Sequence, residues 1–387
     1  MELLSTAKYY AKMALAAKWA MGLPGRGVVD RFRIYRDFLH LRKQKGLQPQ
    51  EYEDFDFDKL DKDFRNQFLG INEQRYYLDL LNPLKYYIIS RNKFLAHQVM
   101  ESAGIRQARL FCFYQPEGDA HIEGSLTARR LEDVLRLLKK QEVRQCVVKT
   151  TESSHGDNVW VIADVEYKDK DAVLIRFDGE KMLLSNLLGT EQLLFESIVR
   201  QTSQFSEFNA TSVNTVRFMT TLFPDGSARV VAAFIKIGRA GKCVDNAGDG
   251  GNVDVCINVE NGITQFATKY DGLHRMKEIE VHPDTNSQLV GVAINHWDEI
   301  KNDVIRFQQA FPYCKAAGWD IAITDEGPVV IEVNDFWDRI GQLFIRHGWR
   351  EEMRDCFLAW RAMGRKYTIG RGENELPRSF LEKIVKR

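Results

Sequence analysis

The chain of 387 residues is 44% apolar and 28% charged, and its 54 Lys and Arg balance 54 Asp and Glu. That length supports two or three packed domains, and a formal net charge of zero argues against a nucleic-acid partner, which calls for a basic footprint. Six scattered cysteines (Cys112, Cys146, Cys243, Cys256, Cys314, Cys356) show no CxxC or Cys/His spacing, which excludes a zinc site or a disulfide framework and suits a reducing, cytoplasmic compartment.

The N-terminal stretch MELLSTAKYYAKMALAAKWAMGLPG is apolar, but Lys8, Lys12 and Lys18 interrupt any signal-peptide core or membrane span. An amphipathic helix stopped by Gly22-Leu-Pro-Gly25 is predicted, docked on the body of the protein or, as a second reading, on an anionic membrane surface. Residues 1–50 hold ten basic side chains against three acids, and residues 51–63 are acidic; such blocks are ordinarily solvated faces. Residues 1–80 read as helical and connective.

Further on, a helix through Leu95 and Val99 is predicted to turn at Ala103-Gly104 and feed a strand at Arg109–Tyr114. Leu131, Val134, Leu135 and Leu138 recur at i, i+3, i+4, i+7, the spacing of an amphipathic helix. QCVVKTTESSHGDNVWVIADV reads as strand, polar loop, strand, and LLFESIVRQ as a short apolar strand with an embedded acid. NTVRFMTTLFPDGSARVVAAFIKIG is a hairpin around Pro224-Asp-Gly226. HWDEIKNDVIRFQQAF is a helix, GWDIAITDEGPVVIEVND a strand pair, and WDRIGQLFIRHGWREEMRDCFLAWRAM an amphipathic helix. The class is α+β with antiparallel hairpins, not a regular βαβ alternation.

Side chains in a half-buried strand alternate, so Glu332 and Asn334 must point to one face. With Asp320 on the partner strand they are hard oxygen donors, the type Mg²⁺ takes when substrate phosphates complete its octahedron; the plain alternative is an exposed strand end. Lys149 ends an apolar strand before a small-residue loop whose amides and hydroxyls suit phosphate oxygens. Taken alone, a lysine snorkelling beside an ordinary hairpin loop is the commoner case. Arg217, Lys236 and Arg239, with Asn246 ahead of Gly250-Gly251, form a second set. Between Thr215 and Gly241 the only acid is Asp225 in the turn, an asymmetry that favours a bound anion over a solvated face.

In order, these residues resemble the ATP-grasp superfamily and its carboxylate–amine ligases. SVNTVRF, IGRAGKCVDNAGDGGNV and GWDIAITDEGPVVIEVN are most similar to the sugar-transfer-associated branch, and the resemblance runs from about Lys93 to Asn334. It implies an α+β ATP-grasp fold in which two α+β subdomains clasp a nucleotide. The expected divisions are a helical extension at 1–80, a central α+β part at 81–145, a small subdomain at 146–200, a large subdomain at 201–340 and a basic helical tail at 341–387. Lys93 and Lys149 would be the two nucleotide lysines, with Ser153, Ser154, His155 and Gly156 as the phosphate flap. Glu196 and the backbone near Ile198 would meet adenine, and Asn246 would sit ahead of the Gly-Gly turn. Arg217, Lys236 and Arg239 would face the γ-phosphate, and Asp320, Glu332 and Asn334 would hold Mg²⁺ or Mn²⁺. Where the family often has a small Pro/Gly segment after the last motif, this chain has Asp335-Phe-Trp-Asp338.

The activity so implied is ATP- and Mg²⁺-dependent amide formation through an acyl phosphate, between carboxylate and amine substrates that are small molecules or glycans, in surface-polysaccharide metabolism or in sugar-acid or amino-acid modification. Phosphoryl transfer to a hydroxyl and a non-catalytic nucleotide-binding protein are the alternatives. Peripheral membrane contact through the basic N-terminus and an oligomer are compatible with each.

Overall fold

A computed structural model describes residues 14–118, 124–152, 158–241, 252–270, 276–365 and 378–385. Helices lead the chain: α1 (described over 14–22), α2 (Val28–Lys45), α3 (Pro49–Asp54), α4 (Lys62–Gln67), α5 (Ile71–Leu81), α6 (Tyr87–Arg91) and α7 (Lys93–Ser102). Strands β1 (Leu110–Tyr114) and β2 (Thr127–Ala128) precede α8 (Leu131–Lys140). Then come β3 (Cys146–Thr150), β4 (Val159–Tyr167), β5 (Ala172–Arg176), β6 (Lys181–Leu183), α9 (Leu184–Leu187) and β7 (Leu193–Glu196). After α10 (Ser203–Phe208) the strands β8 (Thr215–Leu222), β9 (Ala228–Ile237), β10 (Val253–Ile257), β11 (Thr264–Tyr270) and β12 (Met276–Ile279) follow. The chain continues through α11 (Trp297–Ala310), β13 (Ala316–Thr324), β14 (Gly327–Asn334), α12 (Gly341–Phe344), α13 (Arg350–Ala362) and α14 (Arg378–Val385).

Two seven-stranded sheets result. The smaller has the order β2-β1-β7-β3-β4-β5-β6, and only β1 and β2 run parallel in it. Period-two alternation sends Cys146, Val148 and Phe195 into one core with Cys112 and with Val134, Leu135 and Leu138 of α8. Val147 and Lys149 are left on the opposite face, where they are only half-buried. β1, β2 and α8 therefore share one sheet and one core with residues 146–196, across the expected division at residue 145, whereas α7 packs on the larger sheet. The non-local pairing of β1 with β7 crosses that division.

The larger sheet is antiparallel throughout, in the order β12-β11-β10-β9-β8-β13-β14. One face carries Val216, Phe218, Ile235, Trp319 and Val333 under Ile300 and Val304 of α11 and Ala96 and Met100 of α7. The opposite face is split. Met219, Ala232, Phe234 and Ala316 pack on α5, α13 and α14 together with Trp337 and Trp349. Beyond that apolar half, the same face carries Arg217, Lys236, Asp254, Asp320, Glu332 and Asn334.

The two chain ends belong to the body. Ala16 and Ala20 of α1 are buried among Phe38, Leu41, Tyr52, Phe57 and Phe68, as the docked-helix expectation required. In the helical C-terminal region Met353, Phe357, Leu381 and Ile384 share a core with Tyr76 and Tyr77 of α5. Glu73 accepts from Arg350 Nε at 2.9 Å and Glu51 pairs with Arg339 at 2.7 Å. The expected single helix is not continuous. It breaks between α12 and α13, where Arg346 takes φ 50°, and Gly348 passes so close to Gln67 that a Cβ would lie 2.2 Å from its carbonyl carbon. Among the described residues no helix is long and apolar enough to cross a membrane, and the five described cysteines are free and buried.

Candidate active site

The end of β14 is set by a bulge. Asp320 pairs with Glu332 while Ile321 pairs with Val330, so Ile331 is the extra residue and the strand kinks there. Val330 and Val333 consequently both enter the core, and Glu332 and Asn334 point to the opposite, polar face. Neither is fully buried.

Asp320 is the charge centre of that face. It lies beside Arg217 on β8 and accepts two hydrogen bonds from it, from Nε at 2.5 Å and from Nη2 at 2.7 Å. Lys236 Nζ on β9 reaches the same carboxylate at 3.2 Å. The three side chains are 15%, 5% and 7% exposed for Arg217, Asp320 and Lys236, so the interaction is shielded from solvent. Burial alone would raise the Asp320 pKa, but Arg217 and Lys236 outweigh it and hold the carboxyl at about 2. Burial likewise works against the Arg217 charge, and Asp320, then Glu332, more than restore it. The acid missing between Thr215 and Gly241 is thus supplied by β13. Arg217 and Lys236 thus share one carboxylate, with Glu332 acting on Arg217 in addition.

On the smaller sheet, Lys149 and Glu196 project from neighbouring strands and pair at 2.7 Å, 13% and 7% exposed. Lys93 opens α7, whose first turn is capped by Asn92 Oδ1 accepting from Leu95 N at 3.1 Å. Lys93 N donates to Thr151 O at 2.9 Å, and Asn92 Nδ2 donates to Glu152 at 3.1 Å. These bonds tie the helix start to the end of β3. Burial pulls the Lys93 ammonium below its usual range; Glu332 opposes this, Lys149 adds to it and Glu196 opposes it. Lys93 therefore stands in the field of both sheets. Nearby, Phe94 of α7 stacks on Phe113 of β1, with centroids 3.8 Å apart and planes at 9°. Leu110 and Leu194 complete this apolar patch, and Leu194 is the cross-strand neighbour of Lys149.

The structure thus brings Arg217, Lys236, Asp320, Glu332 and Asn334 onto one sheet face and links them electrostatically, through Lys93, to Lys149 and Glu196. It does not bring Arg239 to them. That guanidinium grips Asp284 through Nε at 2.7 Å and Nη2 at 2.5 Å, while Ala240 N donates to the same carboxylate at 2.8 Å. Arg239 in turn holds the Asp284 carboxyl well below its ordinary range. Ile198 is half-buried beyond the end of β7, next to Ser197, whose N donates to Arg109 O at 2.8 Å. Ser153, Ser154, His155, Gly156 and Asn246 lie outside the described residues.

Two buried acids escaped the sequence reading. Asp254, 1% exposed, is the cross-strand neighbour of Lys236, and Asp335, 5% exposed, pairs with Arg91 at 3.3 Å. An acid inside the apolar strand VDVCI carried the same signal as Glu196 in LLFES. Asp335 carried none, because its partner is more than 240 residues away in sequence.

The donors fit a hard divalent cation in part. Glu332 is a half-buried carboxylate that acts on Lys93 and Arg217, and among the described residues the buried Asn334 Nδ2 has no hydrogen-bond partner. A half-turn of that amide exchanges its nitrogen and oxygen and would present the carbonyl oxygen instead, a ligand type that Mg²⁺ accepts. Asp320 is different: both its oxygens already bind cations, which leaves it one face at most for a metal.

Residues 72–355 match the family model described as sugar-transfer associated ATP-grasp. No curated protein matches the chain. Solved structures with a similar fold include N5-carboxyaminoimidazole ribonucleotide synthetase from Thermotoga maritima, at 12% identity, 72% of this chain, 52% of that one and a TM-score of 0.39. Biotin carboxylase from Campylobacter jejuni follows at 11%, 79%, 55% and 0.42, and D-alanine–D-alanine ligase from Bacillus anthracis at 12%, 72%, 68% and 0.37. The chain spans about half the length of the first two.

Proposed function

Because this chain belongs to the sugar-transfer-associated ATP-grasp family, we propose that it is an ATP-dependent ligase that joins a carboxylate to an amine, releasing ADP and phosphate. The observation that carries this reading is the buried two-cation, one-carboxylate cluster of Arg217, Lys236 and Asp320 beside Glu332 and Asn334. Fixed cations next to oxygen donors suit a transferring phosphoryl group, for which positioning and charge neutralisation are most of catalysis.

ATP supplies a phosphoryl group that turns a carboxylate oxygen into a leaving group, which an amine then displaces as phosphate. Mg²⁺, or Mn²⁺, would be held by Glu332 and Asn334 with Asp320 behind them, and would neutralise phosphate charge. Lys93 and Lys149 are the groups placed to bind the α- and β-phosphates. For Lys149 to do so, its pairing with Glu196 must loosen. Arg217 and Lys236 face the γ-phosphate and the acyl phosphate, kept in place by Asp320. The stacked Phe94 and Phe113 with Leu194 offer an apolar bed for the adenine. An acid borne on a sugar or glycan is the substrate class the family's description favours, and the exposed Asp338, which acts on Arg217, gives the acceptor side negative charge an amine would meet.

Calorimetry with ATP tests this reading, comparing the parent with Glu332→Gln, with and without Mg²⁺. Metal-dependent binding that collapses in the variant is expected. Acid and amine pairs are then screened for ADP release. Binding indifferent to Glu332 would remove the nucleotide site, and ADP release needing only a hydroxyl acceptor would move the activity to phosphoryl transfer.

A further inference from the structure

The helical layer before residue 72 contains a cavity of about 430 Å³, within the usual size range of ligand sites and outside the span matched by the family model. One wall is a stripe of α2, where Arg33, Arg36, Asp37 and His40 follow at i, i+3, i+4 and i+7. Tyr52, Asp58 and Arg65 face that stripe from the segment after it.

Both acids in the cavity are already neutralised. Asp37 accepts from Tyr52 Oη at 2.6 Å and pairs with Arg65, and Asp58 pairs with Arg26 at 2.6 Å. Arg33 meets only Asp30, at 3.2 Å, with the two side chains 63% and 49% exposed. A pair that open to water contributes little. Among the described residues Arg36 and His40 have no hydrogen bond or ion pair. Guanidinium groups gathered round a concavity, with its carboxylates already engaged, are arranged for a bidentate oxyanion.

We propose that this cavity is a binding site for a phosphate-bearing anion, held by Arg33 and Arg36 with His40 beside them. Arg65 is set in position by Asp37 and Tyr52. Val29 and Phe32, 83% and 62% exposed, lie on the same stripe one turn toward the start of α2, outside the cavity lining. The phosphate belongs either to a soluble molecule or to a lipid headgroup whose chains those exposed side chains would meet. The site is independent of the ligase reading, since none of its residues belongs to the sheet-borne cluster.

The test titrates the full-length protein with inorganic pyrophosphate by calorimetry. In parallel, the protein is sedimented with phosphatidylcholine vesicles made with and without phosphatidylglycerol. Arg33→Glu/Arg36→Glu is expected to weaken one of these interactions about tenfold or more. Lys43→Glu, the same charge change as either arginine substitution taken singly, at an exposed position of α2 outside the cavity, is expected to leave it unchanged. Loss of pyrophosphate binding identifies a soluble phosphate, and loss confined to phosphatidylglycerol vesicles identifies a lipid-borne one. Unaltered binding in both assays, or equal weakening by Lys43→Glu, overturns the site. Circular dichroism of each variant confirms that it is folded.

Discussion

Arg217 and Asp320 are cross-strand neighbours on β8 and β13 that meet through two hydrogen bonds, Nε to Oδ1 at 2.5 Å and Nη2 to Oδ2 at 2.7 Å. The pair fixes the plane of the guanidinium, and with it the direction in which this buried positive charge faces. Lys236 shares the same carboxylate, so a single acid orients both cations of the site.

Asp320→Asn should accordingly cost more than activity. It leaves two buried cations without their counter-charge, a change expected to destabilise by about 3–5 kcal/mol, read as a lower urea midpoint. The pH dependence has a defined sign. The folded-state pKa, about 2, lies below the ordinary value of 3.8, so the Asp320 contribution is full above about pH 4 and is lost as pH falls toward 2. The stability gap between parent and variant should hold steady from pH 7 to 5 and narrow below 4. A gap that has not narrowed by pH 2 would contradict the assignment.

Glu332→Gln should behave differently. This carboxylate is half-buried and acts on Arg217 less than Asp320 does, so its loss should lower stability by about 1–2 kcal/mol, less than Asp320→Asn. Metal-dependent ATP binding should nevertheless be lost. A large stability loss would make Glu332 a structural residue.

Lys149 and Glu196 provide a competition test. If Lys149 leaves Glu196 for phosphate on nucleotide binding, Glu196→Gln should destabilise the protein by about 3 kcal/mol, through an unpaired buried cation, while ATP affinity holds or rises. Lys149→Met should lower ATP affinity instead. Equal loss of affinity in both variants would mean that the intact pair is what binds.

Arg239 separates the sequence expectation from the geometry. Its partner is Asp284 rather than the cluster, so Arg239→Gln should cost about 1 kcal/mol of stability with a modest effect on turnover. Lys236→Gln should cost on the order of 10²–10³ in rate. Steady-state ADP release from the two variants compares them directly, and similar rate losses would return Arg239 to the phosphate.

Period-two alternation made the common face of Glu332 and Asn334 legible, and the apolar runs made β3, β7, β13 and β14 legible, because both signals are local. Nothing local revealed that Asp320 answers Arg217, a residue 103 positions earlier in the chain. An arginine three residues beyond Lys236, Arg239, looked like part of the phosphate set, but a loop acid, Asp284, pairs with it. The C-terminal periodicity was read as one helix because the pattern carries no record of Gly348 pressing against Gln67. By itself, then, the sequence determined the types and order of the elements, the family and the donors on β14, since these depend on neighbours a few residues apart. Only the tertiary structure decided which charges are paired, which face the site and where the chain ends pack. Those outcomes follow from strand register and burial, where a carboxylate and a guanidinium far apart in sequence are brought within hydrogen-bonding distance and shielded from water.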